Sequence, residues 1–240
     1  MTPALSVVIP AHNEEDSLPG TLRAVHGALQ EAGIVHELVV VDDHSKDNTW
    51  GVLEGLMKEV SALKPIRNTG AGGFGNAIHF GLRHFSGHRV AIMMADLSDP
   101  PEDLVRFHRE MDRTGVDCVF GSRAMAGAVV TGYPRRKWRI NRLANLFLCM
   151  VFQYRYNDTT NPFKLYDRGV IQKLLPLRST GFELEVELPV RAIIHGARYS
   201  VLPNGWQGRV HGESKMRLSH LFVPYLRMVW TCTLERFSRR

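Results

Sequence analysis

The sequence predicts an α/β fold in which a mostly parallel sheet is flanked by helices. Two observations indicate this fold: short apolar runs alternate with segments of helical periodicity, and polar clusters directly follow three of the runs. Alternating strands and helices form units that place helices on both faces of a parallel sheet. At 240 residues, with 44% hydrophobic and 22% charged residues, the chain is a globular protein of one large domain rather than a disordered or fibrous one.

The elements follow in order along the chain. Residues 5–10 form an apolar run that stops at a proline, which is typical of a buried strand. The next segment has four apolar residues at helical spacing, and they are Leu18, Leu22, Val25 and Leu29. The later predicted strands cover residues 37–41, 63–66, 89–94 and 117–121. The later predicted helices cover residues 49–60, 76–85, 101–114 and 139–154.

Polar clusters follow three of the predicted strands, at residues 10–15, 42–47 and 95–99. In an open parallel sheet, ligands bind beyond the carboxyl ends of the strands. Each cluster alone is compatible with ordinary turns, because Asp, Asn and Ser favour them. Three acidic clusters at one edge would repel one another unless a cation or a donor-rich ligand lies between them. The sequence therefore predicts a ligand site at this edge.

The net charge of +6 suits an anionic partner such as a nucleotide or a phospholipid surface. Nucleic acid is not expected as a partner, because the positive charge is the one feature of the sequence that would support it. The three cysteines are far apart, which argues against a disulfide framework and favours a reducing compartment. The first residues show no secretory signal, and no stretch reaches the ~18–20 apolar residues of a membrane span. We therefore expect a cytoplasmic protein.

Five segments together resemble family 2 glycosyltransferases with the GT-A fold. They read SVVIPAHNEE, ELVVVDDHSKDNT, MMADLSDPP, GSR and GRVHGESK, in the family's order across about residues 4–216. The subgroup with the strongest resemblance is that of the dolichyl- and polyprenyl-phosphate sugar synthases. The resemblance implies an inverting enzyme that moves a sugar from GDP-mannose or a UDP-hexose to a polyprenyl phosphate, with a divalent metal, Mg or Mn. It also implies a GT-A domain over residues 1–215 and an amphipathic segment over residues 216–240.

The resemblance assigns the first two polar clusters and a glycine-rich loop to the nucleotide. The implied nucleotide-binding residues are Pro10, Ala11, Asn13, Glu14, Asp42, Asp43 and Gly72. Carboxylates suit this task because they accept hydrogen bonds from ring N–H groups and ribose hydroxyls. Gly72 lies within a GxGxxG spacing at residues 70–75, but a dinucleotide-binding turn would follow the first strand rather than the third. A glycine-rich helix start beside the diphosphate is the better interpretation, and a tight turn with positive φ is the alternative.

The resemblance gives Asp96 and Ser98 to the metal. Relatives usually have Asp-Ala-Asp where this chain has Met-Ala-Asp at residues 94–96, and Ser98 replaces a frequent Gln. Mg²⁺ commonly takes only one or two protein carboxylates, with phosphates and water completing its shell. A metal at Asp96 therefore stays the expectation. Asp99 is instead predicted to cap a helix, because Asp-Pro-Pro-Glu at residues 99–102 matches a helix start.

The implied catalytic residues are Asp96, Arg123, Arg209 and Lys215. In related enzymes, the arginine of the GSR motif and a basic residue near the next helix hold the acceptor phosphate, which gives this task to Arg123 with Arg136 or Lys137. Arg135 and Arg139 are assigned to a solvated face. An ionised phosphate needs no general base, so we predict none, whereas bidentate arginine contacts would align it.

Three further segments carry expectations. The resemblance places Glu183 and Glu185 near the donor sugar, although their alternation with apolar residues also fits a strand face. Residues 209–215 match R-x-x-G-x-S-K, a loop that closes over the donor in the family. Residues 158–163 match Asp-x-Thr-Ser-Gly-Phe, but Asn-Pro replaces Ser-Gly, which would reshape the acceptor side.

Residues 139–154 and 218–240 combine apolar and basic side chains, which fits either helices at a membrane interface or core helices. With a lipid acceptor, we expect a peripheral protein at the inner face of the membrane, with a membrane-embedded protein or a second copy as further partners. Two alternatives stay open. One is a family 2 enzyme with a glycan or other hydroxyl acceptor. The other is a non-catalytic nucleotide-sugar-binding protein, suggested by Met94.

Overall fold

A computed structural model describes residues 2–208 and 222–238. The strands are β1 (Leu5–Ala11), β2 (His36–Asp42), β3 (Leu63–Arg67), β4 (Arg89–Ile92), β5 (Cys118–Ser122), β6 (Val130–Thr131), β7 (Lys164–Asp167), β8 (Tyr199–Pro203) and β9 (Trp206–Gln207). The helices are α1 (Leu18–Glu31), α2 (Thr49–Leu56), α3 (Phe74–His84), α4 (Pro101–Thr114), α5 (Arg135–Phe152), α6 (Arg168–Leu174), α7 (Leu184–Ile194) and α8 (Phe222–Ser238).

The main sheet has the strand order β3-β2-β1-β4-β7-β5-β8, and β6 pairs with β9 separately. Among the strands of the described residues, β7 alone runs antiparallel to its neighbours in the main sheet, β4 and β5. The predicted α/β fold with a mostly parallel sheet is therefore confirmed. Because β1 lies between β2 and β4, the loops that follow these three strands meet at one edge.

Each face of the sheet carries its own hydrophobic core, as expected for strands whose side chains alternate between faces. One face packs against α1, α2 and α4 through residues such as Leu22 and Leu104. The other face packs against α3, α5, α6, α7 and α8. Gly81 allows α3 to lie close to this face, because a Cβ at this position would be 2.4 Å from Cγ1 of Val8.

Several element boundaries differ from the prediction by a few residues. The basic run predicted to precede α5 forms its first turn, since Pro134 occupies the N-cap position and Arg and Lys are good helix formers. Helix α2 ends at Leu56 and β4 at Ile92, both earlier than expected. The alternating glutamates belong to the start of α7, so the strand interpretation is wrong.

Helix α8 is held against α7 by charged groups. Nε of Arg191 donates to Glu235 Oε2 at 3.1 Å, and Nε2 of His195 lies 2.6 Å from Glu235 Oε1. Met228 and Cys232 of α8 are buried in the core. Among the helices of the described ranges, none has the length and apolar character to cross a bilayer.

Candidate active site

The first two polar clusters are joined by hydrogen bonds between their loops. Oδ1 of Asn13 accepts from the backbone N–H of Lys46 at 2.7 Å, and the backbone N–H of Asn13 donates to Ser45 Oγ at 2.9 Å. The backbone N–H of Glu14 donates to Thr49 Oγ1 at 2.9 Å. These bonds hold the loops of the first two clusters against each other. A cavity of about 440 Å³ lies beside these loops and is lined by Asn13, Glu14, Glu15, Asp16, Ser17, Lys46 and Asp47. Of the predicted nucleotide residues in the two clusters, Asn13 and Glu14 line it, whereas Pro10, Ala11, Asp42 and Asp43 do not.

Pro10 and Ala11 lie within β1, with buried side chains. The carboxylate of Asp43 accepts from Nδ2 of Asn68 at 2.7 Å and from the backbone N–H of Gly73 at 2.7 Å. Asp43 therefore holds the glycine-rich loop at the start of α3. Asp42 has a similar local role, since its Oδ1 accepts from the backbone N–H of Ser45 at 3.2 Å. Contact of these carboxylates with base or ribose stays a prediction.

The glycine-rich loop leads into α3 and contains a glycine with positive φ, and its contact with a diphosphate stays a prediction. Gly73 has a φ of +122°, a conformation that favours glycine. A Cβ at Gly72 would lie 3.3 Å from the ring of His44 and 3.7 Å from Asp43 Oδ1, so Gly72 is next to Asp43. At Gly75, a Cβ would lie 2.4 Å from the backbone carbon of Thr180. The loop thus allows the backbone before α7 to approach the start of α3.

Asp96 and Ser98 lie in the loop after β4. Oδ1 of Asp96 accepts from the backbone N–H of Ser98 at 3.1 Å. Asp96 is half-buried, whereas Ser98 is buried. The described parts of the chain contain no group of three or more His, Cys, Asp or Glu side chains arranged for a metal ion.

The predicted helix cap at Asp99 is wrong. Pro100 occupies the N-cap position of α4, and no side chain caps the helix. Asp99 is 1% exposed, and neither carboxylate oxygen has a hydrogen-bond partner within the described residues. Burial raises the pKa of Asp99 to about 8. The positive charge of Arg123 acts to lower this pKa, whereas the negative charge of Asp96 raises it further. Burial of Asp99 therefore favours the protonated form of its carboxyl group.

Arg123 follows β5 and is bound by Asp158. Nε and Nη2 of Arg123 each donate to the Asp158 carboxylate at 2.9 Å, and the backbone N–H of Arg123 donates to it at 2.9 Å. Both side chains are buried. Burial would lower the pKa of Arg123, but the charge of Asp158 outweighs it and raises the pKa. The bidentate contact that we expected with a substrate phosphate is thus made by Asp158.

A second cavity, of about 660 Å³, lies beside Arg123. Its lining combines arginines with aromatic and small residues, and comprises Arg123, Ala128, Val130, Gly132, Tyr133, Arg135, Trp138 and Arg139. The Arg123 guanidinium lies 5.5 Å from the centre of the Tyr133 ring, and the Tyr133 and Trp138 rings are 5.4 Å apart. The sequence analysis missed both aromatic residues, although they lie within or next to the basic run.

The basic residues near this cavity differ from the expected set. Arg135 and Arg139 are exposed, as their assignment to a solvated face predicts, but they also line the cavity because the run forms the first turns of α5. Arg136 is exposed and outside the lining. Lys137 is half-buried, and burial, followed by the charge of Arg123, lowers its pKa. Lys137 therefore lies within electrostatic reach of Arg123, and its contact with a phosphate stays a prediction.

Glu183 and Glu185 lie at the start of α7. Oε1 of Glu183 accepts from the backbone N–H groups of Thr180 and Gly181 at 3.1 Å each, so it closes the preceding turn. Glu185 is buried, with Oε2 at 4.0 Å from Nζ of Lys164. Burial raises the pKa of Glu185 and lowers that of Lys164. A role for either glutamate at the donor sugar stays a prediction. Arg209 and Lys215, with their predicted closing loop, lie outside the described residues.

Comparison with known proteins shows the family. Residues 6–175 match the family described as Glycosyl transferase family 2. The chain is 31% identical over 223 residues to polyprenol monophosphomannose synthase of Mycolicibacterium smegmatis, covering 90% of this chain and 82% of that protein. It is 29% identical over 245 residues to dolichol-phosphate mannosyltransferase of Pyrococcus furiosus, covering 98% of this chain and 66% of that protein.

A solved structure shows the same fold. Glucosyl-3-phosphoglycerate synthase of Mycobacterium tuberculosis, in complex with Mn²⁺, uridine diphosphate and glucosyl-3-phosphoglycerate, superimposes with a TM-score of 0.71 at 20% identity. The match covers 98% of this chain and 80% of that one. The expectation of a GT-A glycosyltransferase is confirmed, and the chain belongs to glycosyl transferase family 2.

Proposed function

We propose that this enzyme transfers a sugar from a nucleotide sugar to the phosphate of a polyprenyl phosphate. The observation that carries the proposal is the cavity in which Arg123, Arg135 and Arg139 lie with aromatic residues. Clustered arginines suit an anionic acceptor. The names of the relatives support a polyprenol-linked product, and two of them specify mannose. A third relative is named as an undecaprenyl-phosphate 4-deoxy-4-formamido-L-arabinose transferase, so relatives differ in the sugar.

The acceptor side needs alignment rather than a base. A lipid phosphate is already ionised near neutral pH, so no side chain has to remove a proton from it. Asp158 binds the Nε and Nη2 edge of Arg123, and the remaining N–H groups of the guanidinium are those that would meet the acceptor. Arg135 and Arg139 would add positive charge on the α5 side of the cavity, with Lys137 nearby. Together these charges would reduce repulsion between the acceptor phosphate and the donor diphosphate.

On the donor side, the side chains fit a divalent metal that is shared with a diphosphate. Asp96 supplies one half-buried carboxylate, and Ser98 would be a further ligand. Mg²⁺ binds in this way, with one or two carboxylates and the rest of its shell from phosphates and water. A bound metal would neutralise charge on the leaving diphosphate. Mn²⁺ is the metal in the solved neighbour. The assay described below compares Mg²⁺ with Mn²⁺ for this enzyme.

A lipid acceptor would have to be reached at a membrane surface, and α5 and α8 support such a contact. Each helix exposes a row of large apolar side chains to solvent, and these residues are Ile140, Leu143, Leu146, Phe147 and Met150 on α5 and Phe222, Val223, Leu226, Trp230, Leu234 and Phe237 on α8. We call this set the apolar face. Large exposed apolar patches mark interaction surfaces. The first turns of α5 also line the arginine cavity, so one helix carries both the phosphate site and an apolar row.

We therefore propose an anionic lipid surface as the partner of the apolar face. The same two helices carry the basic residues Arg136 and Lys137 on α5 and Arg227 on α8, which suits attraction to anionic lipids. In this arrangement α8 belongs to the interfacial segment expected at residues 216–240. The cytoplasmic side of the membrane, a membrane-embedded partner and a second copy of the chain stay predictions.

The reaction can be tested with a panel of nucleotide sugars, each with and without polyprenyl phosphate and with Mg²⁺ or Mn²⁺. The proposal expects a lipid-linked sugar and an equal amount of nucleoside diphosphate. A product formed on a hydroxyl acceptor but never on lipid phosphate would replace the proposed acceptor. Binding of a nucleotide sugar without any turnover would instead indicate a non-catalytic protein.

A further inference from the structure

A turn at residues 157–161 lies between Arg123 and α5 and is bonded to both. On the Arg123 side, Asp158 makes the three contacts described above. Next to it, Oδ1 of Asn157 accepts a hydrogen bond from Ser122 Oγ at 2.7 Å. The turn thus holds both the side chain and the backbone at the end of β5.

On the opposite side, two asparagines of α5 bind the hydroxyl of Thr160. Nδ2 of Asn141 donates to Thr160 Oγ1 at 2.6 Å, and Nδ2 of Asn145 donates to the same oxygen at 3.0 Å. Oδ1 of Asn145 accepts from the backbone N–H of Thr160 at 3.3 Å. Arg142 adds a bond from Nη1 to the carbonyl oxygen of Asn157 at 2.7 Å.

These contacts are specific for the side chains involved. Asn141 and Asn145 are four residues apart, so they lie on the same face of α5. Asn145 is fully buried, and a buried amide is costly unless it is hydrogen-bonded. A hydroxyl has two acceptor lone pairs, and the Thr160 hydroxyl receives two amide donors. Thr160 is therefore the point at which the turn is fixed to α5.

We propose that Thr160, together with Asn141 and Asn145, is a positioning residue that fixes Arg123 relative to α5 for acceptor binding. The inference rests on the proposed function and extends it. Arg123 reaches the cavity from β5, whereas Arg135 and Arg139 reach it from α5. The turn connects the two elements, so its bonds set the relative position of the arginines that would hold one phosphate.

The test compares Thr160→Val, which keeps the shape but removes the hydroxyl, with Thr160→Ser, which keeps the hydroxyl. Both are made in the full chain and assayed with polyprenyl phosphate and the donor identified by the panel. A misplacement of about 1 Å can cost ~10²-fold in rate, so we expect kcat/KM for the acceptor to fall by about 10–100-fold in Thr160→Val. We expect the KM for the nucleotide sugar to stay unchanged and Thr160→Ser to retain wild-type acceptor use.

A second measurement separates binding from turnover. Farnesyl phosphate, used as a soluble probe without donor or vesicles, should bind Thr160→Val more weakly than wild type in calorimetry. The half-buried Asn141 offers a milder variant, Asn141→Ala, which removes one of the two bonds to Thr160 and should give a smaller loss in the same direction. It serves as the test if Thr160→Val does not fold.

The positioning role is overturned if the variants lower the melting temperature but leave acceptor KM and farnesyl phosphate binding unchanged. It is also overturned if donor and acceptor constants deteriorate equally, because that result indicates general damage. Failure of the proposed function has a different signature, since wild-type protein would then show no transfer to lipid phosphate at all.

Discussion

Asp158 holds Arg123 at three points, by the backbone N–H and by two nitrogens of the guanidinium, each at 2.9 Å. A planar guanidinium can make these contacts and still present N–H groups on another edge, whereas an ammonium cannot. The pair thus explains why an arginine follows β5. A lysine at this position would keep the charge but not this geometry, so Arg123→Lys tests the geometry alone.

We predict that Arg123→Lys keeps the positive charge but loses most transfer to lipid phosphate. Loss of one preorganised electrostatic contact commonly costs ~10²–10³ in rate, and we expect an effect of this size on kcat/KM for the acceptor. Binding of the nucleotide sugar, measured by calorimetry, should be unchanged. Loss of donor binding with acceptor affinity intact would contradict the assignment of Arg123.

Asp158→Asn should lower stability in addition to acceptor use, because Asp158 both neutralises and holds Arg123. The substitution removes the charge that compensates a buried arginine, and breaking such a pair costs about 3–5 kcal/mol. Arg135→Gln is the matched control, because Arg135 lines the same cavity but is exposed. We expect urea unfolding to show a large loss of stability for Asp158→Asn and almost none for Arg135→Gln. Equal stability of the two variants would show that the buried pair is unimportant for folding.

Asp96→Asn should leave the fold intact and lower turnover by ~10²–10³, because it removes the carboxylate that would hold the metal at the diphosphate. Mn²⁺ should also increase the affinity for nucleoside diphosphate less in this variant than in wild type. This measurement does not depend on turnover. Met94→Asp restores the acidic pair of the relatives and should tighten Mn²⁺-assisted binding.

Asp99→Asn is the control for Asp96→Asn. Since burial raises the pKa of Asp99 to about 8, its protonated form is favoured at pH 7, and asparagine resembles that form in shape and charge. Most activity should therefore remain. Full activity of the wild type in excess chelator, or equal damage from both variants, would contradict the metal role of Asp96.

The fold and the edge that carries the site were predictable because they depend on local patterns. Apolar runs followed by Asp and Asn marked the strand ends, and strand order then brought the loops together. The roles of Asp99 and Arg135 were not predictable in this way. Asp-Pro-Pro-Glu matches a helix cap locally, but the fold buries the Asp99 carboxylate without a hydrogen-bond partner among the described residues.

The sequence analysis missed other residues because their roles depend on tertiary contacts. Asn141 and Asn145 lie on a helix whose pattern is otherwise basic and apolar, and their burial and their contacts with Thr160 distinguish them from surface residues. Their four-residue spacing was a signal of one shared face. The partner of that face could not be inferred, because residues 157–161 lie on a separate turn of the chain.

The lowered pKa of Glu37 predicts how the free energy of unfolding changes at acidic pH. Burial alone would raise its pKa, but hydrogen bonds from Lys64, Ser6 and Ser86 outweigh burial and lower the pKa from 4.5 to about 2. Between these values the unfolded chain binds more protons than the folded one. The stabilisation is therefore present above pH 4.5 and is lost as the pH falls towards 2.

Glu37→Gln should lower the free energy of unfolding at pH 7 by about 1–3 kcal/mol and flatten its acid dependence. Glu31→Gln, at an exposed position of α1, makes the same change in net charge and should have almost no effect on either. Glu37 lies at the start of β2, opposite the edge that carries the site, so turnover of the folded variant should match wild type. An unaltered acid profile in Glu37→Gln would contradict the role of this carboxylate.

The apolar face predicts binding to anionic vesicles. Phe147 on α5 and Trp230 on α8 are 44% and 65% exposed, so Phe147→Glu and Trp230→Glu should not disturb the core. Burial of one such side chain contributes about 1.5–3 kcal/mol, and we expect each variant to weaken vesicle binding about tenfold or more in flotation assays. Binding should also fall with salt, because charge attraction is screened over ~10 Å at 0.1 M ionic strength.

Met57→Glu is the matched control for this prediction, since Met57 is 50% exposed but lies just after α2, outside the apolar face. It carries the same change in charge and should float with the vesicles as wild type does. If all three variants float equally, the apolar face is not the lipid-binding surface. If wild type does not float but forms a dimer in solution that Phe147→Glu or Trp230→Glu separates, the face binds a second copy of the chain. The two results differ because a dimer responds to protein concentration and is indifferent to the charge of the lipid.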